Sequence, residues 1–221
     1  MSEPEFLTST RATYETVARA YTEASREGLR ERPFDRAFLT LFAELVREAG
    51  GTPGGRVADV GCGPGHVTRF LRDLGLHAFG LDLSPAMLGR ARETYPDLEF
   101  REASVLDLGV TDQSLDGIVA LFSFNTVPPE HLSVMLNGFR RALRPGGLVL
   151  LAFSVRETPL GMTSWLDHEV DLPLQRLVPD EVARALTDAG LPVVSQTVRA
   201  PRPPHETRPY AHLLASRPTV F

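Results

Sequence analysis

Val57-Ala58-Asp59-Val60-Gly61-Cys62-Gly63-Pro64-Gly65 is the stretch on which the fold turns. Residues of strand character run into a turn with glycines at alternate positions, and the chain from Pro64 onward has helical spacing. Glycine lets the backbone of such a turn approach a ligand with no side chain between them. The lysine and Ser/Thr of a triphosphate-binding loop are missing, which removes support for nucleoside triphosphate chemistry. A dinucleotide turn spaces its glycines G-x-G-x-x-G and rests a pyrophosphate on the helix N-terminus. Here the spacing is G-x-G-x-G, and Asp59 stands two residues before Gly61. A carboxylate at that place matches a cationic ligand better than a pyrophosphate.

Working outward, strand and helix patterns alternate. Arg56–Gly61 reads as a strand, Pro64–Leu74 as a helix and Leu76–Asp82 as a strand. Pro85–Tyr95 reads as a helix, with Ser84 as N-cap and Pro85 in its first position. Leu98–Arg101 and Leu115–Leu121 are strands, Pro129–Leu143 a helix stopped by Pro145-Gly146-Gly147, and Leu148–Val155 a buried strand. Residues 156–178 read as an irregular connection. A helix over Asp180–Ala189 and two strands, Val193–Arg199 and Tyr210–Ser216, finish the chain. Upstream, residues from Thr8 to Glu27 have helical spacing. After Pro33, Phe34, Phe38, Leu41, Phe42 and Leu45 form one apolar stripe. Gly50, Gly51, Pro53, Gly54 and Gly55 then break the chain before the first strand. The pattern predicts an α/β fold: a doubly wound, mostly parallel seven-stranded sheet with an antiparallel last strand, plus N-terminal helices. Residues 1–221 are expected to form a single domain: a helical lid over 1–50, a ligand-binding core over 56–155, a substrate-side loop over 156–178, and a C-terminal helix and strand pair over 179–221.

The bulk numbers limit the function. With 221 residues the chain holds one α/β core and little more. Its formal net charge of −5 argues against a nucleic-acid partner, although every basic residue is arginine. The longest apolar run, Leu148 to Phe153, is too short to cross a bilayer, and the N-terminus lacks a signal-like apolar core, so a cytoplasmic protein is expected. Cys62 is the single cysteine; it needs only to be small where it stands, and no activating base is visible near it. His66 and His131 have no second ligand at metal spacing, so no metal is expected.

Asp82 ends the second strand, 21 residues after Gly61, where a carboxylate can accept both hydroxyls of a ribose. With these residues in view, the chain resembles the class I S-adenosylmethionine-dependent methyltransferases, which have a Rossmann-like fold, from Tyr14 to Pro218. Tyr14-Glu-Thr-Val-Ala-Arg-Ala-Tyr21 is similar to their N-terminal helix that closes over the cofactor. Val57 to Gly65 is similar to their first motif, Leu81 to Leu88 to their second, Phe100 to Val119 to the third-to-fourth-strand region ending at Ser114-Leu115-Asp116, and Leu143-Arg-Pro-Gly-Gly147 to the turn before their fifth strand.

The resemblance implies S-adenosyl-L-methionine as cofactor, touched by Tyr14, Tyr21, Asp59, Gly61 and Gly63, with Asp82 on the ribose. Leu83 and Met87 would lie against the adenine, Ser104 and Val105 at its edge, and Ala120 and Leu121 at the end of the fourth strand. Ser104 replaces an acid and Asn125 a histidine that many members carry. Asn125 stands apart from Pro128-Pro129 with no aromatic after them, so the segment is a loop and helix start, unlike the motif of DNA amino-methyltransferases. The long connection after the fifth strand is expected to contact a small-molecule acceptor, with Trp165, Met162 and Asn125 on the substrate side. Asp167 and Glu169 would add orienting polar groups, His168 is the candidate base, and His205 an alternative. Two other readings remain at this point: a nicotinamide-dependent oxidoreductase, and a protein that binds the same cofactor without transferring its methyl group. The acceptor and the oligomeric state are not legible.

Overall fold

The computed structural model describes residues 3–203 and 206–219. The central strands are buried almost without interruption, and side chains pointing to opposite sides build one sheet with a core on each face. Its strands are β1 (Arg56–Val60), β2 (His77–Asp82), β3 (Phe100–Glu102), β4 (Leu115–Leu121), β5 (Leu143–Ser154), β8 (Val193–Arg199) and β9 (Tyr210–Ser216), in the order β3-β2-β1-β4-β5-β9-β8. The first five run parallel, as required when helices join them. β9 returns from β8 by a loop and inserts between β5 and β8, antiparallel to both. The antiparallel strand is therefore one place in from the edge, and β8 forms the edge.

On one face Val57, Val119, Leu150 and Leu214 pack under α2 (Pro33–Glu48) and α3 (His66–Asp73) with Phe42 and Val46. On the other, Val60, Ile118, Leu151 and Leu213 meet Phe139 of α5 (Pro129–Ala142) and Leu186 of α6 (Pro179–Asp188). α4 (Pro85–Thr94) covers the β2–β3 end, opened by Ser84, whose hydroxyl accepts from Met87 N–H at 3.1 Å. At the end of the sheet where β1 begins, buried Asp116 accepts from the amides of Arg56 (2.7 Å) and Thr52 (3.2 Å) and pairs with Arg144. This ties the glycine-rich breaker to β4 and β5.

The N-terminal helix α1 (Glu5–Ala24) starts and stops three residues earlier than its spacing suggests, and other boundaries move by one or two. β5 is longer at its start, because Leu143 already pairs with Leu115 before the Pro145-Gly146-Gly147 segment. The larger correction concerns residues 156–178, which are not an irregular loop. They form an antiparallel ribbon, β6 (Leu160–Trp165) and β7 (His168–Leu174). Its two-residue turn, Leu166-Asp167, has φ of 51° and 64°, the left-handed pair that a tight hairpin demands.

Candidate active site

Gly61 and the end of β4 build the floor of the site together. A β-carbon on Gly61 would fall 2.1 Å from Ser123 Cβ, so only glycine lets the two segments approach this closely. Phe122, between β4 and Ser123, adopts φ of 59°, a strained conformation for a bulky residue and one that concentrates at functional sites. The Phe122 amide is fixed to Ala152 O at 2.7 Å. Gly63 also has positive φ, 52°, and its amide donates to Asp82 Oδ2 at 2.8 Å. The other Asp82 oxygen takes the Ser84 amide at 2.9 Å. Each oxygen keeps acceptor capacity for a ligand hydroxyl. Burial pushes the Asp82 carboxyl up, and the amides of Ser84 and Gly63 work against that shift.

Above this floor lies a cavity of about 350 Å³, within the roughly 300–1,000 Å³ of small-molecule sites. It sits beyond the carboxyl ends of β1, β2, β4 and β5, the ligand position of open α/β sheets. Three rings close it from above. Tyr14 and Tyr21 of α1 meet edge to face at 6.1 Å, and Trp165 of the ribbon meets them at 5.6 Å and 5.3 Å. Burial pushes both tyrosine hydroxyls up, so they remain neutral hydrogen-bonding groups at physiological pH. Leu7, Met162, Leu172 and Leu174 add apolar wall.

Of the residues singled out in the sequence, Tyr14, Tyr21, Gly61, Gly63, Asp82, Leu83, Val105, Leu121, Asn125, Met162 and Trp165 line this cavity. Others do not reach its lining. Asp59 is buried behind the turn and accepts from the Thr68 hydroxyl at 2.6 Å. Burial lifts its carboxyl to about 7 against that hydrogen bond. Met87 packs beneath α1 with Val17 and Ala18. Ala120 is buried in the core under the sheet. Ser104 spends its oxygen on the Leu106 amide at 3.1 Å, leaving Ala103 and Val105 to line that corner. His168 is exposed just past the ribbon turn, as are Asp167 and Glu169, so none of the three contributes to the lining. His205 lies outside the described residues. Cys62 is buried beside Leu88, Ala91 and Phe100, and burial pushes its thiol up, a packing role.

Sequence reasoning missed Arg11, Arg32, Phe122, Ser154 and Tyr210, which also line the cavity. Arg32 comes from the short link between α1 and α2, stands over the Phe122 ring at 5.2 Å, and lies 3.8 Å from buried Asp35. Asp35 in turn contacts His212 Nε2 at 2.7 Å, and Phe38 stacks on that imidazole at 4.3 Å. No periodic pattern announces residues brought in from a link or a strand end. The one available signal was position: Tyr210 opens a strand whose carboxyl-end neighbour is Ser154.

Residues 57–147 match a family model described as a methyltransferase domain. An uncharacterized methyltransferase of Synechocystis sp. is 32% identical over 155 residues, 67% of this chain and 72% of that protein. The chain belongs to the class I S-adenosylmethionine-dependent methyltransferases. Malonyl-[acyl-carrier protein] O-methyltransferase from Pectobacterium atrosepticum is 32% identical over 119 residues, covering 50% of this chain and 46% of that enzyme. Magnesium protoporphyrin IX methyltransferase from Synechocystis, solved with bound S-adenosylmethionine, superposes with a TM-score of 0.71 at 17% identity, covering 98% of this chain and 99% of that one. This likeness reports the fold alone. Membership makes S-adenosylmethionine the cofactor of this methyltransferase and removes the oxidoreductase reading. The lining fits that group in charge: a carboxylate, Asp82, and two guanidiniums, Arg11 and Arg32, face a molecule that carries both cations and a carboxylate.

Proposed function

We propose that this methyltransferase acts on a small acceptor, uncharged or anionic, held over the ends of β4 and β5, and that the described residues contribute alignment and exclusion of water and supply no base. The observation that carries this reading is the charge distribution of the lining. Asp82 is its only carboxylate among the described residues, and the acceptor capacity left beside the Gly63 and Ser84 amides is what this reading gives to the ribose. A cationic amine would find no second carboxylate in that lining to balance it, and the Arg32 guanidinium would stand nearby.

S-adenosylmethionine supplies a methyl carbon bonded to positive sulfur, which is the reactive electrophile. Asp82 holds the ribose, and the Gly61–Gly63 turn lets backbone lie against the ligand. Tyr14, Tyr21 and Trp165 shut out water, which would compete for the same carbon. Leu7, Met162, Leu172 and Leu174 favour an acceptor with an apolar body. Alignment of nucleophile, methyl and sulfur is then the main catalytic contribution, and such alignment is worth as much as ~7–11 kcal/mol. His168 lies outside the cavity lining, so this reading gives it no part in the transfer.

The test is turnover with methyl-labelled cofactor against a metabolite extract separated by charge. Label is expected in the neutral and anionic fractions. Label confined to the cationic fraction would contradict the proposal. The acceptors named for the relatives, a malonyl group on acyl-carrier protein and magnesium protoporphyrin IX, identify no particular substrate here.

A further inference from the structure

We propose that Glu15 is a positioning residue that latches α1 onto the turn carrying Asp82, so that cofactor binding and closure of the cavity are a single event. The proposal rests on the reading of Asp82 as the ribose acceptor. Glu15 lies midway along α1, and Oε1 of its carboxylate reaches the N-terminus of α4. There it accepts from the Ser84 hydroxyl at 2.6 Å and from the Ala86 amide at 3.0 Å. A carboxylate at that place satisfies an unpaired amide of the helix and meets the positive end of its dipole.

Ser84 joins two systems. Its hydroxyl caps α4 and has one proton, which goes to Glu15; its backbone amide goes to Asp82 Oδ1 at 2.9 Å. The opposite Asp82 oxygen holds the Gly63 amide at 2.8 Å. A continuous path of hydrogen bonds therefore runs from α1 through Ser84 and Asp82 to the glycine turn. One helical turn before Glu15, Arg11 donates to Leu83 O at 3.3 Å and pairs with Glu3 at 2.8 Å. Two side chains of α1, spaced four residues apart, thus grip consecutive residues of the ribose turn.

The far side of the same helix holds the ribbon. The Thr13 hydroxyl donates to Asp171 O of β7 at 3.2 Å, and Tyr14 meets the Trp165 ring at 5.6 Å. Whatever steadies the ribose turn steadies α1, and whatever steadies α1 steadies the acceptor wall. Cofactor binding and completion of the acceptor half of the cavity therefore go together.

Hydrogen–deuterium exchange of the full chain with S-adenosylhomocysteine as probe tests this. In the wild type the probe should slow exchange in three places: residues 82–88, α1 and the ribbon. In Glu15→Ala, protection of residues 82–88 should persist, protection of α1 and the ribbon should fall to the unliganded level, and probe affinity should drop about tenfold. Glu15→Gln keeps an oxygen for Ser84 and Ala86 and should restore the wild-type pattern. Full protection of α1 and the ribbon in Glu15→Ala would overturn the latch, as would a Glu15→Gln protein that behaves like Glu15→Ala. A wild type that fails to bind the probe would sink the cofactor reading itself, and the latch with it; the two failures are thus told apart.

Discussion

Asp59 and Asp82 leave adjacent strands of one sheet, yet their surroundings give them different work. Asp82 sits at the cavity with both oxygens anchored by backbone amides, ready to accept from a ligand. Replacing it with alanine removes bonds to a charged acceptor, so cofactor binding should weaken by about 1.5–3 kcal/mol. The Gly63 and Ser84 amides lose their partner, so the melting point should fall as well. Calorimetric titration beside a thermal melt checks both parts; unchanged affinity would reduce Asp82 to a turn residue. Asp59 is instead walled in against Thr68, and its carboxyl is lifted to about 7. An unfolded aspartate titrates near ~3.9, so between about pH 4 and 7 the folded chain holds a proton that the unfolded chain has released. Its contribution to stability therefore falls as pH rises through that window and is level above it. Asp59→Asn should gain stability relative to the wild type between pH 5 and pH 8, read from denaturant unfolding at both. No relative change over the same interval would mean that the carboxylate is ionised in the fold.

At the scale of elements, the strand–turn–helix units were legible because each announces itself locally. Ser84 caps α4, Pro85 starts it, and short buried runs mark β1, β4 and β5. The ribbon was not legible. Its turn residues, Leu166 and Asp167, are poor advertisements for left-handed backbone, and only Leu172 and Leu174 along its two strands are buried, which leaves a weak alternation. Of the residues expected on the acceptor side after β5, Met162 and Trp165 line the cavity, whereas His168 lies outside that lining, just past the ribbon turn. Trp165 packs against both tyrosines of α1, so it serves the roof of the cavity as a whole. Trp165→Ala should therefore weaken cofactor binding several-fold as well as raise the acceptor KM. Met162→Ala, away from those ring contacts, should raise the acceptor KM alone. Identical effects of the two variants, measured by titration and steady-state kinetics, would refute the division between shared roof and acceptor wall.

Across the whole molecule, the sheet reserves one end for stitching and the other for chemistry. Asp116, Arg144 and the amides of Thr52 and Arg56 hold the end where β1 starts, while Gly61, Asp82, Phe122 and Tyr210 meet at the end where the parallel strands finish. On the proposed donor side, Gly61, Gly63, Asp82 and Leu83 come from motifs close together in the chain, which makes them visible as a local pattern. The proposed acceptor side gathers Leu7, Arg32, Asn125, Ser154, Met162 and Tyr210 from across the chain, and no local pattern brings such residues together. Among the described residues no helix is long and apolar enough to cross a membrane. The central claim is that this cavity is built for an adenosyl-sulfur cofactor, with a G-x-G-x-G turn and Asp82 in place of a pyrophosphate cradle. Calorimetric titration of the full chain with S-adenosylhomocysteine, and with NAD in parallel, tests it most directly: the expected result is saturable one-site binding of S-adenosylhomocysteine and none of NAD, and saturable binding of NAD alone would contradict it.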